Sequence, residues 1–346
     1  MTIVEGTRPV TGGVDTHLDV HVAAALDPVG GLLGVESFAA SAAGYRELLR
    51  WMSSFGPVAR VGVEGTGAYG AGLSRYLHRN GVEVIEVDRA NRQARRQAGK
   101  SDPVDAVEAA RAAQSGRARG LAKTRDGNVE AIRALLVTKR SARNVRIKTL
   151  TQIRHLSFTG PDELRERLRG LSPMMLAREA AALRPRATCE PVVYATKLSV
   201  QTLGRRVLAL DEEAERIDVV LAELVAKTAP SLLALHGVGV DGAASLLVAA
   251  GDNPERLRSE AAWAHLCGVS PIEASSGKVT RHRLNRGGDR QANSALWRIV
   301  MVRMVSHLPT RAYVERRTKE GRSKLEIMRM LKRYVAREVY RHLPRA

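Results

Sequence analysis

Three stretches of this chain hold side chains whose type and spacing can do chemistry. The stretch Gly99-Lys100-Ser101-Asp102-Pro103-Val104-Asp105-Ala106 puts two carboxylates three residues apart at the start of a helix. Ser101 or Asp102 can cap that helix, and Pro103 fits its first turn, where a missing N–H costs nothing. Positions i and i+3 share a helix face, so Asp102 and Asp105 can address one spot. Two adjacent acids repel unless a cation sits between them, and hard divalent cations prefer carboxylate oxygens. Alone, the octapeptide fits a charged, solvated first turn better, because the helix dipole favours acids there. Ser275-Ser276-Gly277-Lys278 precedes Arg281, Arg283, Arg286 and Arg290. A hydroxyl exposed beside such cations can attack phosphorus while they hold the phosphate oxygens; the bland alternative is a flexible polar loop with inert serines. Leu233 to Asp241 brackets a turn with Gly237 and Gly239 before an Ala/Leu helix, and backbone N–H groups there can hold a phosphate. A purely structural turn is the alternative.

The elements that must position these groups follow from the pattern upstream. Val10 to Val22 reads as strand with a polar interruption at Gly12–His17, and His21 to Leu26 as a second strand. Asp27-Pro28-Val29-Gly30-Gly31 is a turn, Leu32 to Ser37 a third strand, and the three form an antiparallel meander. Ser41 to Ser54 reads as a helix, Val58 to Val63 as a strand ending at Glu64-Gly65-Thr66-Gly67, Ala71 to Arg79 as a helix and Gly81 to Val87 as a strand. The later strands alternate with helices and are expected to be parallel. Glu64 then ends a strand, where an open α/β sheet places its active site. Asp15 on the first strand lies beside it, and Asp102 and Asp105 come over both from the next helix. Four carboxylates around one cleft suit a two-metal phosphoryl-transfer site. His17, Asp19 and His21 read as surface or structural.

Composition points to a polyanionic partner. The 346 residues carry 55 Lys/Arg against 36 Asp/Glu, a net charge of +19. Residues 278–346 hold 19 Lys/Arg and 5 Asp/Glu, so +14 of that charge lies in the last 69 residues. A second basic run, Arg89, Arg92, Arg95, Arg96 and Lys100, precedes the paired acids. Aromatics are only 4%, so base stacking is not the main expected binding mode. No apolar run is long enough to span a bilayer, and no signal peptide is evident. Cys189 and Cys267 make no metal spacing and read as reduced thiols of a cytoplasmic protein. Gly127 to Leu156 reads as a long helix with seven Lys/Arg and one acid, whose basic face, with Lys139, Arg140 and Arg143, can follow a nucleic-acid backbone. Val200, Leu203, Val207, Leu210, Ala214, Ile217, Leu221 and Leu224 form a coiled-coil seam. The two helices are expected to pair antiparallel, with a shorter helical insert at the tip, and to dimerise readily.

Gly13-Val14-Asp15-Thr16-His17, Val63-Glu64-Gly65-Thr66-Gly67 and the octapeptide, in this order, resemble the RuvC-like DEDD domain of an insertion-sequence transposase family, the bridge-RNA-guided serine recombinases. The resemblance runs from about Val10 to Leu343 and implies an α/β plus all-α chain. A RuvC/RNase H-like nuclease domain is expected over residues 10–126, a helical coiled-coil region over 127–230, and a basic helical transposase domain with a helix-hairpin-helix-like turn over 231–346. It implies Asp15, Glu64, Asp102 and Asp105 as ligands of Mg²⁺ or Mn²⁺. It also implies Ser276, directly before Gly277, as the nucleophile, with Ser275 as the adjacent alternative. Gly287-Gly288-Asp289-Arg290 departs from the family's Gly-Asn-Arg-like turn and leaves the role of Asp289 open. The implied function is cutting and rejoining of double-stranded DNA, at element ends and target, through a covalent phosphoserine. A structured, element-encoded RNA would guide a homo-oligomer, dimer or tetramer, whose subunits share active sites in the nucleoid of a prokaryotic cell. Two rival readings are a metal-dependent junction nuclease using water and a non-catalytic nucleic-acid-binding protein.

Overall fold

The computed structural model of the protein describes residues 8–87, 101–188 and 190–344. Arg89, Arg92, Arg95, Arg96, Lys100 and Cys189 lie outside the described residues. The chain divides into two compact units. The first is Met1–Glu130 with Ala250–His265 and Pro344–Ala346, and the second is Ala131–Ala249 with Leu266–Leu343.

The first unit is built on a six-stranded sheet. Strands β1 (Val10–Thr16), β2 (Val20–Leu26) and β3 (Leu32–Ala39) form the antiparallel meander. Helix α1 (Ala42–Ser54), capped by the Ser41 side chain on the Gly44 N–H, carries the chain to β4 (Val58–Glu64). Helix α2 (Ala71–Arg79) carries it on to β5 (Glu83–Val87). Strand β4 pairs parallel with both β1 and β5. A short β6 (Gly120–Leu121) closes the order β3-β2-β1-β4-β5-β6. One face of the sheet packs Val14, Ala23, Val61 and Val63 under Leu48 and Met52 of α1 and Leu73 and Leu77 of α2. The other face is covered by α3 (Asp102–Gln114), whose alanines 106, 109, 110 and 113 are all buried.

Of the Gly12–His17 segment, expected as an interruption, residues 12–16 are buried strand within β1, and His17 follows the strand, exposed. The glycines of the segment are there for close approach. A Cβ on Gly13 would lie 2.1 Å from the Ala110 backbone nitrogen and 2.3 Å from the Ala106 carbonyl oxygen. Gly62, its register partner on β4, meets the Ala109 carbonyl at 2.4 Å in the same way. Backbone atoms cannot swing aside as side chains do, so Gly13→Ala is expected to cost about 3 kcal/mol. The measurement is the denaturation midpoint; an unchanged midpoint would refute this packing.

The second unit is helical. Helix α4 (Asn128–Thr159) and helix α7 (Pro191–Thr228) run antiparallel, since Lys139 pairs with Asp218, Arg146 with Asp211, and Leu150 and Ile153 share a core with Val207 and Val200. The insert at the tip is α5 (Asp162–Leu168) and α6 (Pro173–Ala181), burying Leu164, Leu168, Leu176 and Ala180. Along the seam Val200, Val207 and Leu221 are buried, whereas Leu210, Ala214 and Ile217 are only half-buried. After the one-turn α8 (Pro230–Leu233) comes α9 (Val240–Ala250); α10 (Glu260–Leu266) follows and, up to His265, belongs to the first unit. The C-terminal helices are α11 (Arg290–Ser306), α12 (Leu308–Lys319) and α13 (Lys324–His342). Leu296, Ile299 and Val300 of α11 are buried, as are Ile327, Leu331 and Val335 of α13. Ser323 and Glu326 form a capping box on α13.

Candidate active site

Asp15 and Asp102 come together on the sheet face that α3 covers, with the charge of Asp105 acting on Asp15. Successive strand residues alternate sides, so Asp15 shares the face of Gly13, and Glu64 that of Gly62. Val14 pairs with Val63, so Asp15 and Glu64 follow as neighbours at the ends of β1 and β4. The Thr16 hydroxyl donates to the Glu64 carbonyl (2.8 Å) and ties the two ends together. Because Ala106 and Ala110 straddle Gly13, the N-terminal turn of α3 with Asp102 and Asp105 lies over the strand ends. Of the two expected caps, Ser101 occupies the cap position without a side-chain cap bond, and Asp102 lies in the first turn.

Asp15 Oδ2 lies 3.2 Å from His17 Nε2, and Asp102 Oδ1 lies 3.5 Å from the same nitrogen. One ligand atom from each of Asp15, His17 and Asp102 falls within 4.8 Å of the others, a geometry able to hold a metal ion. His17, expected as surface or structural, therefore sits in the acid cluster. Burial pushes the Asp15 carboxyl above the usual carboxylate range; His17 opposes this, while Asp105 and Asp102 add to it. An aspartate crowded by two others is the electrostatic condition a cation relieves. Other acids nearby already have cations: Glu86 is 3.4 Å from Arg256, and Glu108 is 3.1 Å from Arg111 and 3.4 Å from Arg117. His21 does read correctly as structural. It is buried and stacked on Tyr45 at 5.7 Å, and burial lowers its pKa.

The second group lies in the helical unit. The Ser275–Lys278 stretch, expected as a flexible loop, is the tip of a β-hairpin whose strands are β7 (Ile272–Glu273) and β8 (His282–Arg283). Ser276 and Val279 exchange both backbone hydrogen bonds, each 3.1 Å, around Gly277-Lys278. Gly277 has φ +56°, the glycine at the first central position that a two-residue hairpin turn favours. The Ser275 hydroxyl accepts from the Arg281 N–H (3.1 Å) and lies 3.4 Å from the Arg281 carbonyl, so it is part of the hairpin. Ser276 is exposed, and its hydroxyl has no hydrogen-bond partner among the described residues. Lys278, Arg281, Arg283 and Arg286 are exposed along the same hairpin. Asp289, whose role was open, caps α11 by accepting from the Gln291 (2.8 Å) and Ala292 (2.9 Å) N–H groups, and Arg290 follows it, exposed. Cys267 is buried as a free thiol, and burial, with Asp289, drives its pKa up.

Two model descriptions match the chain. A DEDD-type IS110 model described as a transposase matches residues 12–158, which include all four acids. A model described as a transposase of the IS116/IS110/IS902 family matches residues 229–315, which include Ser276 and its hairpin. The chain belongs to the IS110 transposase family. No curated protein sequence matches it. This IS110-family chain is thus an enzyme that cleaves and rejoins DNA. Its mixed sheet and helical C-terminal part are consistent with an RNase H-like DEDD domain followed by a helical one. DEDD transposase domains use divalent metal ions, and the acid cluster matches that need. Among the described residues no helix is long and apolar enough to cross a membrane.

The transposase's expected nucleic-acid contacts fare unequally. Lys139 is taken up by Asp218 and by Asp241 (2.6 Å); burial works against its charge, but the two acids hold the ammonium above its ordinary value. Gly237 has φ +80° in the turn before α9, as a tight turn requires, while Gly239 has open space where a Cβ would sit. Arg140 donates to Ser245 (3.0 Å) and makes no ion pair among the described residues. It lines one cavity with Arg143 and Arg298. Burial, then the nearby Arg298, lower its pKa. Asp241 and Lys139 line the same cavity and neutralise one another, so the three arginines leave it positive and suited to a backbone phosphate. Arg298→Gln is expected to weaken duplex binding evenly across sequences and to lower the salt slope of log K by about 1. Titrations at several KCl concentrations measure it, and an unchanged slope would exclude the contact.

Proposed function

We propose that this transposase moves an insertion sequence by serine-mediated strand exchange. The Ser276 Oγ attacks a DNA phosphorus, its proton passes to a base, the Oγ–P bond forms, and the bond to the leaving nucleoside oxygen breaks as that oxygen takes up a proton. Rejoining reverses the step, with a hydroxyl of the partner strand displacing the serine. Asp15, Glu64, Asp102 and Asp105 would hold Mg²⁺ or Mn²⁺, which supplies charge neutralisation at the phosphate oxygens and the leaving oxygen. The chain's own residues do the rest. The turn at Gly277 holds the Ser276 hydroxyl outward, and the exposed Lys278, Arg281 and Arg283 bind phosphate oxygens along the hairpin.

The observation that carries the reading is the Asp15–His17–Asp102 grouping, its ligand atoms within 4.8 Å, in a chain whose matched domains also include an exposed serine at a basic hairpin tip. The likeness to bridge-RNA-guided serine recombinases adds further parts. These are a structured element-encoded guide RNA that selects donor and target, a homo-oligomer whose nuclease (10–126) and transposase (231–346) domains come from different subunits, helices of the 127–230 region as the dimerising seam, and action in a prokaryotic cytoplasm. Delegating sequence choice to base pairing suits a protein rich in backbone-binding charge. The half-buried Leu210, Ala214 and Ile217 suit a seam that a second copy completes.

The test is trapping. Protein, Mg²⁺, the element's flanking RNA and end-labelled DNA are incubated and denatured. A protein–DNA adduct whose phosphate maps to the 276 position supports the reading. Cleavage with no adduct at any time would assign the reaction to water.

A further inference from the structure

Behind the serine hairpin lies a cavity of about 640 Å³, formed wholly within the helical unit, that the proposed strand exchange does not use. The roots of the hairpin, Ser270-Pro271 and Leu284 to Arg286, make one wall, and α13 from Arg329 to Arg337 makes the other. We propose that this cavity takes a single unpaired nucleotide of the nucleic acid on which the enzyme works. Three observations carry the proposal.

The first is charge. Arg286, Arg329, Lys332, Arg333 and Arg337 line the cavity, and no carboxylate does. Four are arginines, whose planar forks suit phosphate. The second is the apolar surface between them. Leu284 (53% exposed), Met330 and Tyr334 (50% exposed) line the same space, and such exposed apolar area inside a basic rim marks a binding site. The Tyr334 ring is braced edge-on against Tyr313 (5.7 Å between centroids, 77° between planes), and the guanidinium groups of Arg316 and Arg317 lie 5.4 and 5.3 Å from the Tyr313 centroid. The third is a fixed polar group. Lys332 Nζ donates to Asn293 Oδ1 (2.8 Å), and Asn293 Nδ2 donates to the Cys267 carbonyl (2.8 Å). The amide is thus held in one orientation, and Lys332 keeps two further N–H donors for a ligand. Burial and Arg329 lower the Lys332 pKa.

A ligand for this site needs a flat apolar face, polar edges and an attached negative charge. An unpaired nucleotide has all three. A paired one does not, because its faces are stacked inside the duplex. The inference rests on the transposase acting on nucleic acid and is independent of Ser276.

The experiment uses the full chain and two duplexes, fully paired or with one bulged 5-iodouracil. Binding is followed by fluorescence anisotropy, and irradiated complexes are mapped by peptide mass spectrometry. The expected result is a crosslink on the α13 peptide containing Tyr334 and a preference of about five- to hundred-fold for the bulged duplex. Tyr334→Ala is expected to lose that preference while keeping its affinity for paired DNA, which also shows that the variant is folded. Tyr334→Phe is expected to keep both. Equal affinity of the wild-type chain for both duplexes, or crosslinks confined to other peptides, would overturn the proposal. A third arm adds a nucleoside monophosphate alone. Tight binding of it without any bulge preference would make this a free-nucleotide site and overturn the strand assignment. A missing protein–DNA adduct with an intact bulge preference would count against Ser276 alone.

Discussion

Ser276→Ala is expected to abolish the covalent protein–DNA adduct and to lower strand transfer by about 10⁴-fold or more, because removing a nucleophile leaves only binding and charge stabilisation. The neighbouring serine is the internal control. Its hydroxyl is engaged with both backbone groups of Arg281 at 3.1 and 3.4 Å, whereas that of Ser276 has no partner among the described residues. Ser275→Ala is expected to keep adduct formation within about tenfold and to cost about 1 kcal/mol of hairpin stability through the lost hydrogen bonds. Quantifying the adduct on denaturing gels for the two variants separates the residues that the sequence left as alternatives. Normal product from Ser276→Ala would end the serine mechanism and leave a metal-dependent nuclease using water. An adduct lost only in Ser275→Ala would move the nucleophile by one residue. Gly277 belongs to the same argument. Its φ of +56° lies where a side chain is disfavoured, so the turn that presents Ser276 depends on it.

Much of the nuclease half was legible because local patterns and topology agree there. Asp102 and Asp105 sit on the first turn of α3, and Glu64 ends β4, as strand and cap signals imply. The place of Asp15 beside Glu64 follows from parallel pairing of the first and fourth strands, a consequence of helical crossovers. His17 is exposed, in keeping with its surface reading, but its place beside Asp15 went unread because it was treated as a separate residue. It stands two positions after Asp15, and the period of two puts both on one side of the chain. Gly12 and Gly13 looked like an interruption, since glycine weakens strands. Here each is a place where a neighbour comes too close for a Cβ: Met52 on one face, the α3 backbone on the other. The serine hairpin was illegible as strand because both of its faces are exposed, so no alternation of apolar residues marks it. Asp289 had a signal that went unused, an aspartate directly before a helical run. The loss of Lys139 to two acids depends on contacts 79 and 102 residues away, which no local pattern shows.

Asp15→Asn is expected to reduce cleavage to background and, in the absence of metal, to make the protein more stable. The residue is 8% exposed, with its charge opposed by burial and by Asp105 and Asp102, and only His17 favouring it. Its folded-state pKa is therefore raised, so the native state holds this proton more tightly than the unfolded chain. The penalty is absent below the ordinary carboxylate range and grows as pH rises through the raised pKa, so stability falls with rising pH over that window. The amide keeps the shape and removes the charge. A gain of about 1 kcal/mol at neutral pH, or about 2–4 °C in the melting temperature, is expected without metal. Adding Mg²⁺ or Mn²⁺ should invert the order. A ligand that binds only the folded state stabilises by about 2.7 kcal/mol at a hundredfold excess over its Kd. The wild-type chain gains that, while Asp15→Asn, lacking a ligand, gains little. Melting curves with EDTA and with each metal read this without reference to catalysis, so a variant that is inactive for other reasons does not confuse the outcome. If both proteins respond equally to metal, Asp15 is not a ligand. If neither responds, the grouping of Asp15, His17 and Asp102 holds no ion, and the cleavage chemistry would rest on the serine hairpin and its arginines alone.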